Sequence, residues 1–170
     1  MATLHISPLS QLHDTVERTG ARHLVTLLNV GVAVERPAGI DAGRHLVLAM
    51  SDIVTATEGH VLAGEDQVLR LIAFVREWDS AAPLVIHCWA GISRSPAAAY
   101  IAACALAPAR DEAEIALRLR RSSPSATPNA RLVALGDALL GRDGRMSAAI
   151  ARIGRGADAF EGTPFRLDLA

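Results

Sequence analysis

The sequence contains no lysine: all 17 basic residues among its 170 are arginines, and 18 acidic residues leave a net charge of −1. A balance this close to neutral argues against a nucleic-acid-binding surface and against a polybasic membrane patch, because both need an excess of positive charge. The missing lysines accompany abundant alanine, so they indicate a coding bias rather than a function.

Cysteines and long apolar runs are also scarce. Cys88 and Cys104 are the only cysteines, which excludes a disulfide framework and fits a reducing cytosol. No apolar run approaches the ~20 residues of a membrane span, and the first five residues lack the regions of a secretory signal. No metal-ligand spacing is found among the six histidines. We therefore expect a cytoplasmic protein with no membrane, nucleic-acid, metal or cofactor partner.

Apolar runs that alternate with helical patterns predict an α/β fold. The chain is long enough for one domain, residues 1–170, with a sizeable core. Strands are expected at 4–7, 23–29, 45–50 and 84–88, the first at a sheet edge, and helices at 9–19, 64–78, 97–107, 111–121, 130–140 and 146–153. The alternation predicts a mainly parallel central sheet with helices on both faces. Residues 141–170 are expected to be peripheral, either packed on the domain or acting as a lid or partner segment.

The most informative stretch joins the strand at 84–88 to an alanine-rich helix. The strand ends at Cys88, Arg94 follows six residues later, and Ser95-Pro96 are typical of a helix N-cap and first helical position. A helix N-terminus binds anions and favours a thiolate, and the arginine fork can hold two oxygens of one phosphate. Most lone intracellular cysteines are inert packing residues, but the strand, Gly91 and the helix favour a nucleophile here.

The loop resembles that of a known superfamily. His87-Cys88-Trp89-Ala90-Gly91-Ile92-Ser93-Arg94-Ser95 is similar to the signature His-Cys-x-x-Gly-x-x-Arg-Ser/Thr of the cysteine-dependent protein tyrosine phosphatases, in particular the compact dual-specificity-like branch. The motif-level resemblance extends from about residue 52 to residue 129. It implies a phosphomonoester hydrolase in which Cys88 forms a cysteinyl phosphate, residues 89–94 bind the phosphate, and Ser95 donates to the sulfur. It also implies that His87 orients the loop and that no metal is required.

A general acid is expected on a loop some thirty-odd residues before the cysteine in this superfamily. Asp52 lies 36 residues before Cys88, directly after a predicted strand. A carboxylic acid at this place can protonate the leaving oxygen of a phosphate ester. The sequence has no Trp-Pro-Asp motif, so the loop is harder to align, and Glu58 and Asp66 remain alternatives. His60 in the same loop is expected to face solvent.

Several other residues are expected to have structural roles. Trp78 and Cys104 are predicted to pack in the core, and Asn129 is predicted to cap a helix. Three arginines near residue 120 are predicted to form a solvated helix face: Arg118, Arg120 and Arg121.

The expected substrate is phosphotyrosine or phosphoserine/threonine in a protein. One alternative is a phosphatase for a non-protein phosphoester such as a phosphoinositide. Two others are a sulfurtransferase and a non-catalytic phosphate-binding module. The loop has no lysine, which argues against inositol polyphosphates. The oligomeric state stays open.

Overall fold

The computed structural model describes residues 3–169 as an α/β domain around a five-stranded sheet. The strands are β1 (Thr3–Pro8), β2 (His23–Leu28), β3 (His45–Ala49), β4 (Leu84–Cys88) and β5 (Phe165–Asp168). Their order across the sheet is β3-β2-β4-β1-β5, and only β5 runs antiparallel to its neighbour. The predicted, mainly parallel sheet is therefore confirmed.

Six α-helices follow in the described residues: α1 (Leu12–Thr19), α2 (Glu65–Glu77), α3 (Arg94–Leu106), α4 (Glu112–Ser122), α5 (Ala130–Leu139) and α6 (Arg145–Ile153). Side chains alternate between the faces of the sheet, so Leu84 and Ile86 join the large core beneath α2–α6. Val85 points the other way and packs with Leu12 and Val16 of α1. Helices on both faces are confirmed, and the predicted helix bounds agree to within about three residues.

One prediction about the ends of the chain was wrong. β1 is not an edge strand, because β5 pairs with it through residues 165–168. The sequence did not predict β5, because this strand is only four residues long and buries only Leu167 fully. The segment 141–170 is thus partly integral, since it supplies α6 and the last strand. Residues 1, 2 and 170 of the predicted domain lie outside the described residues.

The helix α3 is the central helix of the larger core. Its residues from Arg94 to Cys104 are all buried, as the small apolar composition predicted. The helix begins at Arg94 with Ser93 at its N-cap, so the prediction that Ser95 caps it was wrong. The hydroxyl of Ser95 is turned toward the sulfur of Cys88 instead.

Cys104 lies on the same helix as a packing residue, as predicted. Its side chain is fully buried beside Tyr100, and burial raises the pKa of its thiol to about 12. Nearby, Arg142 donates to the Cys104 carbonyl at 2.7 Å and pairs with buried Glu112 at 2.8 Å. These contacts hold α3, α4 and the segment before α6 together, and they lie away from the loop after β4. Trp78 is buried as well.

Candidate active site

The candidate site lies at the carboxyl ends of the parallel strands. The loop of residues 88–94, called here the Cys–Arg loop, leaves β4 and enters α3. Asn29 follows β2, and Asp52 follows β3 by three residues. Parallel α/β sheets place their ligands at this edge, so the topology brings separate parts of the chain to one place.

Cys88 lies at the base of the Cys–Arg loop with only 2% of its surface exposed. Its Sγ is 3.1 Å from the Oγ of Ser95 and accepts a hydrogen bond from the Gly91 amide at 3.3 Å. Donors aimed at sulfur stabilise a thiolate more than a thiol. The surroundings of Cys88 therefore suit a nucleophile, in contrast to those of Cys104.

The carbonyl groups of the Cys–Arg loop point outward, toward the rest of the protein. Four of them accept amide hydrogen bonds: Trp89 from Leu9 at 3.0 Å, Ala90 from Gly162 at 2.7 Å, Ile92 from Thr127 at 2.7 Å, and Ser93 from Ala97 at 3.1 Å and Asn129 at 3.2 Å. In a planar peptide the N–H of the next residue points the opposite way. The amides of residues 90, 91, 93 and 94 thus face the inside of the loop, where they form an anion-binding cradle.

Gly91 is the residue that lets the loop turn this tightly. Its φ is +70°, and a Cβ built on it would lie 2.8 Å from the backbone nitrogen of Pro8. Both the left-handed backbone and the close approach to β1 require glycine. The expectation drawn from the sequence, that the backbone turns at this position, is confirmed.

One edge of the Arg94 guanidinium is hydrogen-bonded to the protein, and the other is available to a ligand. Its Nη1 donates to Asn29 Oδ1 at 2.7 Å and to the Met50 carbonyl at 2.9 Å. Its Nε is buried and has no hydrogen-bond partner in the described part of the chain. A buried donor without a partner is costly, so this edge of the guanidinium is suited to an anion. Nothing in the sequence identified Asn29 as its partner.

A chain of hydrogen bonds orients His87 behind the loop. Its Nδ1 lies 3.2 Å from the Cys88 carbonyl, which can only accept, so Nδ1 carries the proton. Its Nε2 then accepts from Thr26 Oγ1 at 2.8 Å, and Thr26 in turn accepts from His45 Nε2 at 2.8 Å. Burial lowers the pKa of His87 to about 4, so the ring is neutral at pH 7. The sequence indicated a role for His87 but not Thr26 or His45.

Asp52 reaches the Cys–Arg loop. Its Oδ1 accepts from the Ser93 hydroxyl at 2.7 Å and from Asn129 Nδ2 at 2.8 Å. No hydrogen bond from the described residues reaches its other oxygen, Oδ2, which leaves that atom available to a ligand. Asn129 also caps α5, as predicted, by accepting from the Leu132 amide at 3.0 Å.

The two alternative general acids do not contact the Cys–Arg loop through hydrogen bonds as Asp52 does. Glu58 and Asp66 are exposed, and neither is hydrogen-bonded to the Cys–Arg loop within residues 3–169. His60 is exposed as predicted.

One of the three arginines near residue 120 was assigned wrongly. Arg120 is not a solvated side chain, because its guanidinium donates to the carbonyls of Ala126 at 2.9 Å and Gly154 at 2.8 Å. It also reaches the Ile153 and Arg155 carbonyls at 3.3 Å. The Ile153 and Gly154 carbonyls end α6 and carry partial negative charge, which explains why a cation lies there.

The described residues form neither a cluster of metal ligands nor a membrane-spanning helix. No three His, Cys, Asp or Glu side chains between residues 3 and 169 are grouped so that they could hold a metal ion. No helix in that range is both long enough and apolar enough to cross a bilayer.

Known proteins resemble this chain in structure rather than in sequence. No family model and no curated protein matches the sequence. The Cydia pomonella PTP-2 phosphatase is 20% identical over 79% of this chain and 84% of its own, with a TM-score of 0.61. DUSP15 is 13% identical over 88% and 90%, with a TM-score of 0.64. The human tyrosine phosphatase-like serine/threonine/tyrosine-interacting protein is 16% identical over 82% and 92%, with a TM-score of 0.62.

These likenesses establish the fold. The chain has the fold of the cysteine-dependent protein tyrosine phosphatases in its compact, dual-specificity form, as the loop motif led us to expect. Each aligned structure is covered over more than four fifths of its length, so the likeness extends to the whole domain.

Proposed function

We propose that the protein is a phosphoric monoester hydrolase of the protein-tyrosine-phosphatase type. The observation that carries the proposal is the Cys–Arg loop itself. Cys88 lies at its base, its outer carbonyls are bonded to the protein, and four amides face inward. Such a cradle matches the equatorial oxygens of a phosphoryl group, which develop charge in the transition state.

In the first step the Cys88 thiolate attacks phosphorus in line with the ester oxygen. The S–P bond forms as the P–O ester bond breaks, while the inward amides and Arg94 hold the other three oxygens. Asp52, through its unbonded Oδ2, gives its proton to the leaving oxygen. The products of this step are the free alcohol or phenol and a cysteinyl phosphate.

In the second step water hydrolyses the cysteinyl phosphate. The Asp52 carboxylate takes one proton from water as the new P–O bond forms and the P–S bond breaks. Ser95, with its hydroxyl 3.1 Å from the sulfur, stabilises the departing thiolate. His87 is neutral and bonded to the Cys88 carbonyl, so it acts by holding the loop. No step needs a metal.

The proposed substrate is a phosphorylated protein, on tyrosine or on serine and threonine. The proposed location is the cytoplasm, where a thiol nucleophile stays reduced. The main alternatives are a smaller phosphoester, including a phosphoinositide, and a non-catalytic phosphate-binding module. One structural neighbour is named an interacting protein, which keeps the second alternative in view. The presence of Cys88, Arg94 and Asp52 at one site favours the enzyme.

The test compares two cysteine substitutions. We expect the wild-type protein to hydrolyse an aryl phosphate in the presence of a metal chelator. Cys88→Ser should abolish turnover while keeping phosphate binding, whereas Cys104→Ser, a matched change in the core, should keep turnover. Acid quenching during turnover should trap one phosphate on Cys88, detectable by mass spectrometry. Full activity in Cys88→Ser would remove Cys88 from the mechanism, and phosphate binding without any turnover would identify a binding module.

A panel of phosphorylated compounds then identifies the class of substrate. We would compare kcat/KM for phosphotyrosine, phosphoserine and phosphothreonine peptides with that for phosphoinositides. A strong preference for the lipids would overturn the assignment to protein substrates while leaving the hydrolase reaction in place.

A further inference from the structure

The segment between α6 and β5, residues 154–164, runs beside the Cys–Arg loop and is called here the C-terminal strap. Backbone contacts fix it at both ends. Arg120 binds the carbonyls at its start, and the Ala157 amide donates to Pro124 at 2.9 Å. At the other end, the amide of buried Gly162 donates to the Ala90 carbonyl at 2.7 Å. The strap is therefore held against the loop that cradles the phosphate.

A cleft of about 230 Å³ separates the first half of the strap from the loop. Ile92 and Ser93 line one wall, and residues 155–159 line the other. Gly156 lets the strap lie against the segment before α5, because a Cβ there would lie 2.6 Å from the backbone of Ser125. The cleft is large enough for one amino-acid side chain, and it opens beside the candidate catalytic site.

The position of Asp52 indicates that the cleft lies on the leaving-group side of the site. The acid must lie next to the leaving oxygen, and that oxygen belongs to the body of the substrate. Asp52 is hydrogen-bonded to Ser93, which also lines the cleft. A substrate held by its phosphate therefore extends toward the cleft and the C-terminal strap.

The two most exposed aromatic residues lie on the Cys–Arg loop and on the C-terminal strap. Of the six aromatic residues, Trp78 and Tyr100 are fully buried and the phenylalanines at 74 and 165 are partly buried. The other two are Trp89 of the Cys–Arg loop, 59% exposed, and Phe160 of the strap, 97% exposed. Aromatic side chains contribute most to binding when a partner covers them. Phe160 lies two residues before anchored Gly162, so little backbone freedom is lost when its side chain binds a partner.

We propose that the C-terminal strap is a specificity element that binds the polypeptide flanking a phosphorylated residue, with Phe160 contacting an apolar side chain of the substrate. This inference rests on the proposed function and narrows its substrate class. A membrane surface is the other partner that exposed aromatics could suit. The strap, however, carries two acidic residues, Asp158 and Glu161, against one arginine, Arg155, which pairs with Asp158 at 2.7 Å. The strap is therefore net negative, and anionic headgroups repel such a segment.

The test uses phosphotyrosine peptides that differ at one position within three residues of the phosphotyrosine, carrying leucine or alanine there. We expect leucine at one of these positions to raise wild-type kcat/KM about fivefold, equivalent to about 1 kcal/mol. Phe160→Ala should remove this preference and Phe160→Leu should keep part of it. Leu117→Ala, a change of a 48% exposed residue on α4, is the matched control and should leave the preference intact.

Two kinetic results would overturn the inference: a wild-type protein that does not distinguish the peptides, or a Phe160→Ala variant that distinguishes them as well as wild type. Sedimentation with phosphatidylserine vesicles that depends on Phe160 would also overturn it, in favour of a membrane contact. Calorimetric titration of the same peptides into Cys88→Ser measures the preference as affinity. The inference can therefore fail while hydrolysis stands, and hydrolysis can fail while the peptide preference is still measured.

Discussion

Replacing Arg94 by lysine tests how the phosphate is held. The substitution keeps one positive charge but removes the planar fork. In the wild-type protein Nη1 is already occupied by Asn29 and the Met50 carbonyl, so the buried Nε edge is the part left for the substrate. An ammonium group cannot serve both sets of partners in the same geometry. The variant therefore separates charge from bidentate recognition.

The expected loss follows from the bonds removed. A hydrogen bond to a charged group contributes about 1.5–3 kcal/mol, so two of them in the transition state amount to about 3–6 kcal/mol. The ammonium recovers part of this through its charge. At 1.36 kcal/mol for each tenfold in rate, we expect kcat on an aryl phosphate to fall about 10²–10³-fold. Folding stability should fall by only about 1 kcal/mol, the cost of leaving the buried Met50 carbonyl with a poorer donor.

The assay is steady-state turnover of an aryl phosphate, with stability measured by urea unfolding. Arg131→Lys is the matched control, because Arg131 also binds a backbone carbonyl, that of Ala63 at 3.1 Å, outside the Cys–Arg loop. Its turnover should stay within about twofold of wild type. Near-normal turnover in Arg94→Lys would refute the reasoning and make this arginine merely structural. A large loss of stability would instead show that its contacts to Asn29 and Met50 serve mainly the fold.

Two further predictions concern proton transfer and protonation. Asp52→Asn should slow the hydrolysis of esters with poor leaving groups about 10²–10⁴-fold and that of activated esters much less. It should also flatten the basic limb of the pH–rate profile. If a steep dependence on the leaving group appears in Glu58→Gln or Asp66→Asn instead, that residue is the general acid. The pKa of His87 is lowered from 6.5 to about 4 in the folded protein. As pH falls, His87 therefore becomes protonated in the unfolded chain at a higher pH than in the folded one. Stability should therefore fall by up to about 3 kcal/mol as pH drops from about 6.5 to about 4. Urea unfolding at several pH values gives the free energy of unfolding as a function of pH. Between about pH 4 and 6.5 this free energy should change less steeply with pH in His87→Gln than in wild type. An equally steep change in both proteins would contradict the lowered pKa of His87.

The features that the sequence predicted well are those encoded locally. The strand, turn and helix around Cys88 occupy one continuous stretch, and each part has its own signal: an apolar run, Gly91, and small residues after Arg94. Asp52 could be placed because it directly follows a strand whose end must lie at the same edge of the sheet. Its contact with Ser93 agrees with that expectation.

The features that the sequence did not predict depend on partners far along the chain. β5 has one fully buried residue, and its pairing with β1 joins residues about 160 positions apart. Thr26 and Asn29 look like ordinary residues of a strand and its end until the fold brings His87 and Arg94 to them. Arg120 was misjudged for the same reason, since three of its four carbonyl partners lie in a turn more than thirty residues away.

The cradle itself shows why the motif alone does not define the site. A loop of the same sequence could turn its carbonyls inward, where they would repel a phosphate. Five amides keep them outward, and four of these come from outside the loop and its helix: Leu9 after β1, Thr127 and Asn129 before α5, and Gly162 in the C-terminal strap. Each lies in a segment whose sequence carries no sign of phosphate chemistry. The orientation of the anion-binding amides is thus a property of the assembled domain, and the strap contributes to the cradle as well as to the proposed substrate surface.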